Sequence, residues 1–217
     1  MRTQLLYLAL LLSSTARAGL IPVLDITGGG AATVPLANAV GGWEFHASQP
    51  VTIAALGLWD ERGAPLSIAH EVGLWTAGGA QLATATVDNT SLPVASASPN
   101  GRWLFTAISP LTLTPGDYVL GAVWGNPIQG ADGFRFGETP QTLFGVTYDQ
   151  SRAATQLSSL ALVFPSQGSA GGGWFGPNMA VTVYPAPEPG GAGLLGYSGA
   201  ILVGFRCLRG RLRGAQP

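Results

Sequence analysis

The residues able to move a proton near neutral pH are few. His46 and His70 are the only histidines, and neither stands beside an evident nucleophile and orienting acid, which hydrolysis of the Ser–His–acid type requires. Serines are plentiful, but no Gly-x-Ser-x-Gly elbow occurs, and Gly168-Ser169-Ala170-Gly171 reads as a flexible loop. Each histidine is therefore expected to be structural or on the surface. Zinc takes closely spaced Cys and His ligands, and a pair of distant histidines with the single Cys207 does not supply them. Calcium takes several oxygens. Asp60-Glu61, Asp132, Glu138 and Asp149 are the carboxylates that could contribute, but no Asp-x-Asp-x-Asp run is present. Nothing singles out a carboxylate pair for glycoside cleavage. The runs Gly28-Gly29-Gly30 and Gly171-Gly172-Gly173 lack a following Gly-Lys-Ser/Thr and read as loops, not phosphate cradles. The expectation is a protein that is not an enzyme and holds no cofactor or metal.

Aromatic side chains are the other chemical lead. There are six tryptophans, Trp43, Trp59, Trp75, Trp103, Trp124 and Trp174. Most lie within apolar strand patterns and are expected in the core. An exposed indole can instead stack on the apolar face of a sugar. Trp174, expected in a Gly-rich loop, is the candidate for ligand stacking.

The elements that must position these residues are strands. Val51–Trp59, Glu71–Thr76, Gln81–Val87, Arg102–Ile108, Asp117–Trp124, Leu143–Tyr148, Leu160–Phe164 and Ala180–Tyr184 are short, rich in β-branched or aromatic residues and bounded by turn formers. Turn signals every ten residues or so, with 32 Gly and 16 Pro, predict an all-β antiparallel β-sandwich or jelly roll. Tyr118 to Trp124 is apolar on both faces, as a covered central strand would be. Thr114-Pro115-Gly116-Asp117 has Pro and Gly where a type II turn wants them. Gly57-Leu58-Trp59 with Gly63-Ala64-Pro65-Leu66 is echoed by Gly73-Leu74-Trp75 with Gly79-Ala80-Gln81-Leu82. Two copies are too few for a solenoid and are expected to be successive strand–turn units in one sheet.

Charge is sparse. Apolar residues make up 47% of the 217-residue chain and charged residues 10%. Every basic residue is Arg. Between Gly19 and Ala186 there are four Arg against ten Asp or Glu, a balance of −6, with no basic patch to attract nucleic acid. One cysteine excludes an intramolecular disulfide.

Both ends read as addresses. Arg2, the apolar run Leu5 to Leu12 and Ala16-Arg17-Ala18 follow the order of a secretory signal peptide, so 1–18 is expected to be removed by cleavage after Ala18 once the secretion translocon has engaged it. The remaining domain is 19–184. Pro185-Ala186-Pro187-Glu188-Pro189 cannot sustain a helix or central strand. Gly190 to Phe205 is uncharged, and at ~1.5 Å per residue its helix would be about 24 Å long, short for a ~30 Å hydrocarbon core. Arg206, Arg209, Arg211 and Arg213 follow as a cytoplasmic stop signal. This predicts one short C-terminal transmembrane helix with the C-terminus in the cytoplasm.

Pro187-Glu188-Pro189, one short apolar span and a terminal Arg cluster together resemble the PEP-CTERM sorting signal of Gram-negative bacteria, here over 185–213. The resemblance implies recognition by exosortase, a membrane protease-transpeptidase, with loss of the tail and display or release at the cell surface. It also implies association with exopolysaccharide and biofilm. The span departs from the usual pattern in being Gly-rich and short. The middle, from about Gly41 to Tyr184, resembles an ectodomain type often found on PEP-CTERM proteins, through Gly42-Trp43-Glu44-Phe45, Gly57-Leu58-Trp59, Gly73-Leu74-Trp75 and Leu113-Thr114-Pro115-Gly116-Asp117, and is loosely similar to the domain of unknown function numbered 4082 in its Gly-x-Leu-Trp strands. That resemblance implies a β-sandwich and no particular activity. The expected function is that of an exported, non-enzymatic cell-surface or matrix protein whose ligand, if any, is extracellular polysaccharide. The alternative is a small secreted carbohydrate-active hydrolase or carbohydrate-binding module.

Overall fold

The computed structural model describes residues 19–28, 30–33, 38–61, 65–125, 132–155, 157–169 and 172–183, which fall within the compact unit Ala18–Val183. Ala16, Ala18, Pro187, Glu188, Pro189, Arg206, Arg209, Arg211 and Arg213 lie outside the described residues, as do the expected signal peptide and the expected C-terminal transmembrane helix. No helix among the described residues is long and apolar enough to cross a membrane.

The described residues are all-β. In chain order the strands are β1 (Gly19–Pro22), β2 (Leu24–Ile26), β3 (Ala31–Thr33), β4 (Ala39–Ala47), β5 (Val51–Glu61), β6 (His70–Thr76), β7 (Gln81–Val87) and β8 (Leu92–Ala95). They continue as β9 (Gly101–Leu113), β10 (Gly116–Trp124), β11 (Phe134–Phe136), β12 (Pro140–Thr142), β13 (Val146–Ala154), β14 (Gln167–Ser169), β15 (Trp174–Phe175) and β16 (Pro177–Val183). Every pairing is antiparallel. One sheet has the order β1-β16-β5-β9-β8, the other β14-β13-β4-β10-β6-β7. Two small sheets, β15-β11-β3 and β12-β2, complete the set.

The expected strands at Val51, Glu71, Gln81, Arg102 and Asp117 are found as β5, β6, β7, β9 and β10. Their apolar patterns are legible because β5 is buried from Ala55 to Asp60 and β10 from Tyr118 to Ala122, so both faces carry apolar residues. The cores of the two large sheets meet around tryptophans. Trp59 and Trp103 face each other across β5 and β9 at 5.0 Å and 74°, an edge-to-face contact of the kind aromatic rings prefer. Trp43 of β4 donates its Nε1–H to the Pro177 carbonyl of β16 at 2.8 Å, tying one large sheet to the other.

Three expectations are corrected. The Gly-Leu-Trp echo does not mark neighbours in one sheet: Trp59 lies on β5 and Trp75 on β6, in different sheets. Leu160–Phe164 is not a strand. It is apolar because its chain crosses the outer face of the six-stranded sheet, where Phe164 meets Trp75 edge-on at 6.2 Å. Gly73 and Gly121 make room for it, since a Cβ at Gly73 would sit 2.5 Å from the Trp75 ring and one at Gly121 3.1 Å from Pro165. The strand expected at Leu143–Tyr148 begins later, at Val146. Phe144 and Gly145 form a tight turn with φ of 59° and 73°, closed by the Val146 N–H donating to the Leu143 carbonyl at 3.1 Å. Two successive positive φ values are what a hairpin turn of the I′ kind demands.

Candidate functional site

The two histidines are held apart. His46, on β4, is about half exposed and donates from Nδ1 to Asp117 on the neighbouring β10 at 2.6 Å. Nearby Asp149 sits at the bulge of β13. Burial first, then the negative charges of Glu44 and Asp117, raise its carboxyl above the ordinary value, with His46 working in the opposite direction.

His70, at the start of β6, has 1% of its side chain exposed. Its Nδ1 lies 2.7 Å from the Val123 carbonyl and its Nε2 2.9 Å from Asp132 Oδ2. Both oxygens are acceptors, so the ring is held between a backbone carbonyl and a carboxylate. Asp132 also accepts from the Ser67 amide at 2.8 Å, the Ser67 hydroxyl at 2.7 Å and the Ile68 amide at 3.2 Å. Burial pushes the Asp132 carboxyl up, but the hydrogen bonds from His70 and Ser67 and the electrostatic pull of His70 outweigh it and bring it down to about 2. Ser, His and Asp are thus brought together in an order unlike that of a hydrolytic triad. The carboxylate lies in the middle, the serine hydroxyl points at it, and no imidazole nitrogen is left to take the serine proton. The arrangement fastens two loop segments to β6 and β10.

A second buried network surrounds Arg135 of β11. Its guanidinium donates to Glu138 Oε1 at 2.5 Å, Glu61 Oε1 at 3.1 Å and the Gly30 carbonyl at 3.1 Å. Glu61 in turn accepts from the Trp59 indole at 2.7 Å. Of the carboxylates with calcium in prospect, Glu61 and Glu138 are bound to this arginine, Asp60 to Arg102 and Asp132 to His70. Among the described residues no group of three or more acidic, His or Cys side chains could hold a metal ion.

Five tryptophans are buried at 3% exposure or less. Trp174 is the sixth and is half-buried. It lies on the two-residue strand β15, not in an open loop. Its ring lies tilted against Phe134 at 5.3 Å and 31°, and Gly41 on β4 lets it approach: a Cβ there would lie 3.2 Å from the indole. The Trp174 amide donates to the Ser151 hydroxyl at 3.2 Å, fixing β15 against β13. The part of the ring left open lines a recess of about 150 Å³ with Ser151, Ala153, Thr155, Gln167 and Ser169. The far wall is β14, the exposed edge strand, where the sequence suggested a flexible loop.

No protein-family model matches the chain, and no curated protein matches it. The chemistry of the site therefore rests on its own residues. The recess has one indole, hydroxyls, an amide and no charged side chain. That is a surface for hydrogen bonding and stacking, with neither a nucleophile–base pair nor a cation. Its polar residues were hidden from sequence reading because they come from strands that the sequence left unassigned or misplaced. The same holds for Phe136, which is 43% exposed and is the register partner of Trp174 across β11 and β15.

Proposed function

We propose that this chain is an exported, non-enzymatic cell-surface or matrix protein, sorted by exosortase through 185–213, whose β-sandwich domain contacts extracellular polysaccharide. The observation that carries the sorting is the ordered tail: Pro187-Glu188-Pro189, an uncharged run, then Arg206, Arg209, Arg211 and Arg213. Export is supported by Ala16 and Ala18 at cleavage spacing after an apolar run. Within the alternative class, the half-buried Trp174 beside uncharged polar groups favours a carbohydrate-binding module over a hydrolase, since the Ser67–Asp132–His70 cluster has its hydrogen bonds in an order that cannot activate a serine.

The test is mass spectrometry of both termini of protein recovered from cell fractions, with and without exosortase. The expected mature chain starts at Gly19 and loses the residues beyond the Pro-Glu-Pro motif only when the enzyme is present. An intact chain confined to the cytosol refutes export, and an exosortase-independent C-terminus refutes the sorting.

A further inference from the structure

We infer that the recess between β13, β14 and β15 is a subsite for one neutral sugar ring of a longer glycan, with Trp174 as its stacking floor and Phe136 as the platform for the next ring. This deepens the polysaccharide contact proposed above and rests on it.

Size comes first. About 150 Å³ is small against the ~300–1,000 Å³ of drug-sized ligand sites, and suits a single ring. Shape comes next. The indole is braced on Phe134 and over Gly41, so it is rigid before any ligand arrives, and little ordering is needed on binding. A pyranose ring offers C–H groups on its face and hydroxyls around its rim. The recess offers an aromatic surface and, around it, Thr155, Gln167, Ser151 and Ser169. Among the described residues the side chains of Thr155 and Gln167 make no hydrogen bond to the protein, which leaves a hydroxyl and an amide for the rim.

Charge decides the sugar class. No lining side chain is charged. The nearest arginine on the strand, Arg152, is bound to Glu44 at 2.8 Å and to the Ser166 carbonyl at 3.0 Å. A uronic acid or sulfated sugar would lose water from its anion with no partner in return. Neutral hexoses and pentoses carry no such penalty.

Phe136 explains why the ligand is a polymer. Residues facing each other across an antiparallel ladder have Cβ atoms about 5 Å apart on the same face. Phe136 and Trp174 are such a pair, and Phe136 is exposed. One ring alone binds at about millimolar strength; a second contact raises the affinity of an oligosaccharide above that of its monomer.

The test is a binding series on the full chain in detergent, by tryptophan fluorescence and calorimetry, with hexamers of glucan, mannan, galactan and xylan and with hexagalacturonate. At least one neutral hexamer is expected to bind more tightly than its monosaccharide and at least about tenfold more tightly than hexagalacturonate. Trp174→Ala is expected to weaken it about tenfold or more, and Gln167→Ala and Phe136→Ala about threefold each. The last two residues are exposed, so their variants decide the matter if Trp174→Ala does not fold. No binding by any neutral hexamer, a preference for the uronate, or unchanged affinity in Gln167→Ala and Phe136→Ala would overturn the subsite. Cytosolic retention together with intact glycan binding would defeat only the export reading; export without glycan binding would defeat this one.

Discussion

Replacing Asp132 by Asn tests whether the His70–Asp132–Ser67 cluster is a fastening. Asp132→Asn keeps the side chain's shape but removes the negative charge facing His70, and it turns an amide nitrogen toward groups that themselves donate. The magnitude follows from the carboxyl's displacement from 3.8 to about 2. At ~1.36 kcal/mol per pH unit, the folded state stabilises that anion by about 2 kcal/mol. The side chain is 8% exposed, so solvent screens little of this. The sign is that of a depressed acid: the contribution is complete above pH 3.8, the unfolded value, and disappears as pH falls toward about 2. Urea unfolding of wild type and variant at pH 7, 5, 4 and 3 measures it. The variant should be about 2–3 kcal/mol less stable at pH 7, with its melting point lower by roughly 4–12 °C for a domain of this size. The gap should narrow once pH passes below about 4. A variant within about 0.5 kcal/mol of wild type at pH 7, or a gap that stays constant down to pH 3, would refute the reasoning.

Other perturbations have equally definite expectations. Asn178 is fully buried, donates to the Leu24 carbonyl at 2.6 Å and accepts from the Leu24 amide at 3.4 Å; Asn178→Leu strands both backbone groups and should cost about 2–4 kcal/mol in denaturant unfolding. Gly57→Ala drives a methyl to within 2.4 Å of the buried Phe105 ring, so a loss of about 1–3 kcal/mol is expected from overpacking, whereas unchanged stability would show that β5 and β9 can move apart. Arg135→Met leaves Glu138, whose side chain is 0% exposed, without its counter-charge, and thermal unfolding should report a loss of about 3–5 kcal/mol. Asp149→Asn removes a carboxylate whose ionisation the fold opposes. The penalty on wild type sets in as pH rises above the ordinary carboxylate value, so the variant should have the higher melting point at pH 7 and lose that advantage in acid; a lower melting point at pH 7 would contradict the charge balance described around the β13 bulge.

The sequence made the central strands legible because they are buried on two sides and carry uninterrupted apolar runs, as from Ile53 to Trp59 in β5 and from Tyr118 to Trp124 in β10. It did not reveal where short runs go. Leu160–Phe164 has a strand's composition, and only the glycine floor at Gly73 and Gly121 shows that it lies across a sheet instead of within one. Leu143 and Phe144 are apolar in a turn whose positive φ values are concealed by a phenylalanine. The Trp59 and Trp75 echo is a real similarity of local pattern, yet local pattern carries no information on which sheet a strand joins. Of the recess, Trp174 alone was visible beforehand. Its partners Ser151 and Gln167 are ordinary polar residues that become a site only through the β13–β14 register.

The sparse charges of this domain bear on the neutral ligand proposed for the recess. Each arginine among the described residues is committed: Arg102 to Asp60, Arg135 to Glu61 and Glu138, Arg152 to Glu44. Both histidines face carboxylates. An anionic polymer approaching this surface would have to displace an intramolecular carboxylate to gain a cation. Where the pair is buried, as at Arg135, that exchange leaves a desolvated glutamate behind and is strongly unfavourable. Hydrogen bonding to hydroxyls and stacking on an indole need no such exchange. If the domain instead held an acidic glycan, its affinity would fall steeply with added salt, and Arg152→Gln, which frees Glu44, would weaken binding. A salt-independent affinity that survives Arg152→Gln is what the neutral recess requires.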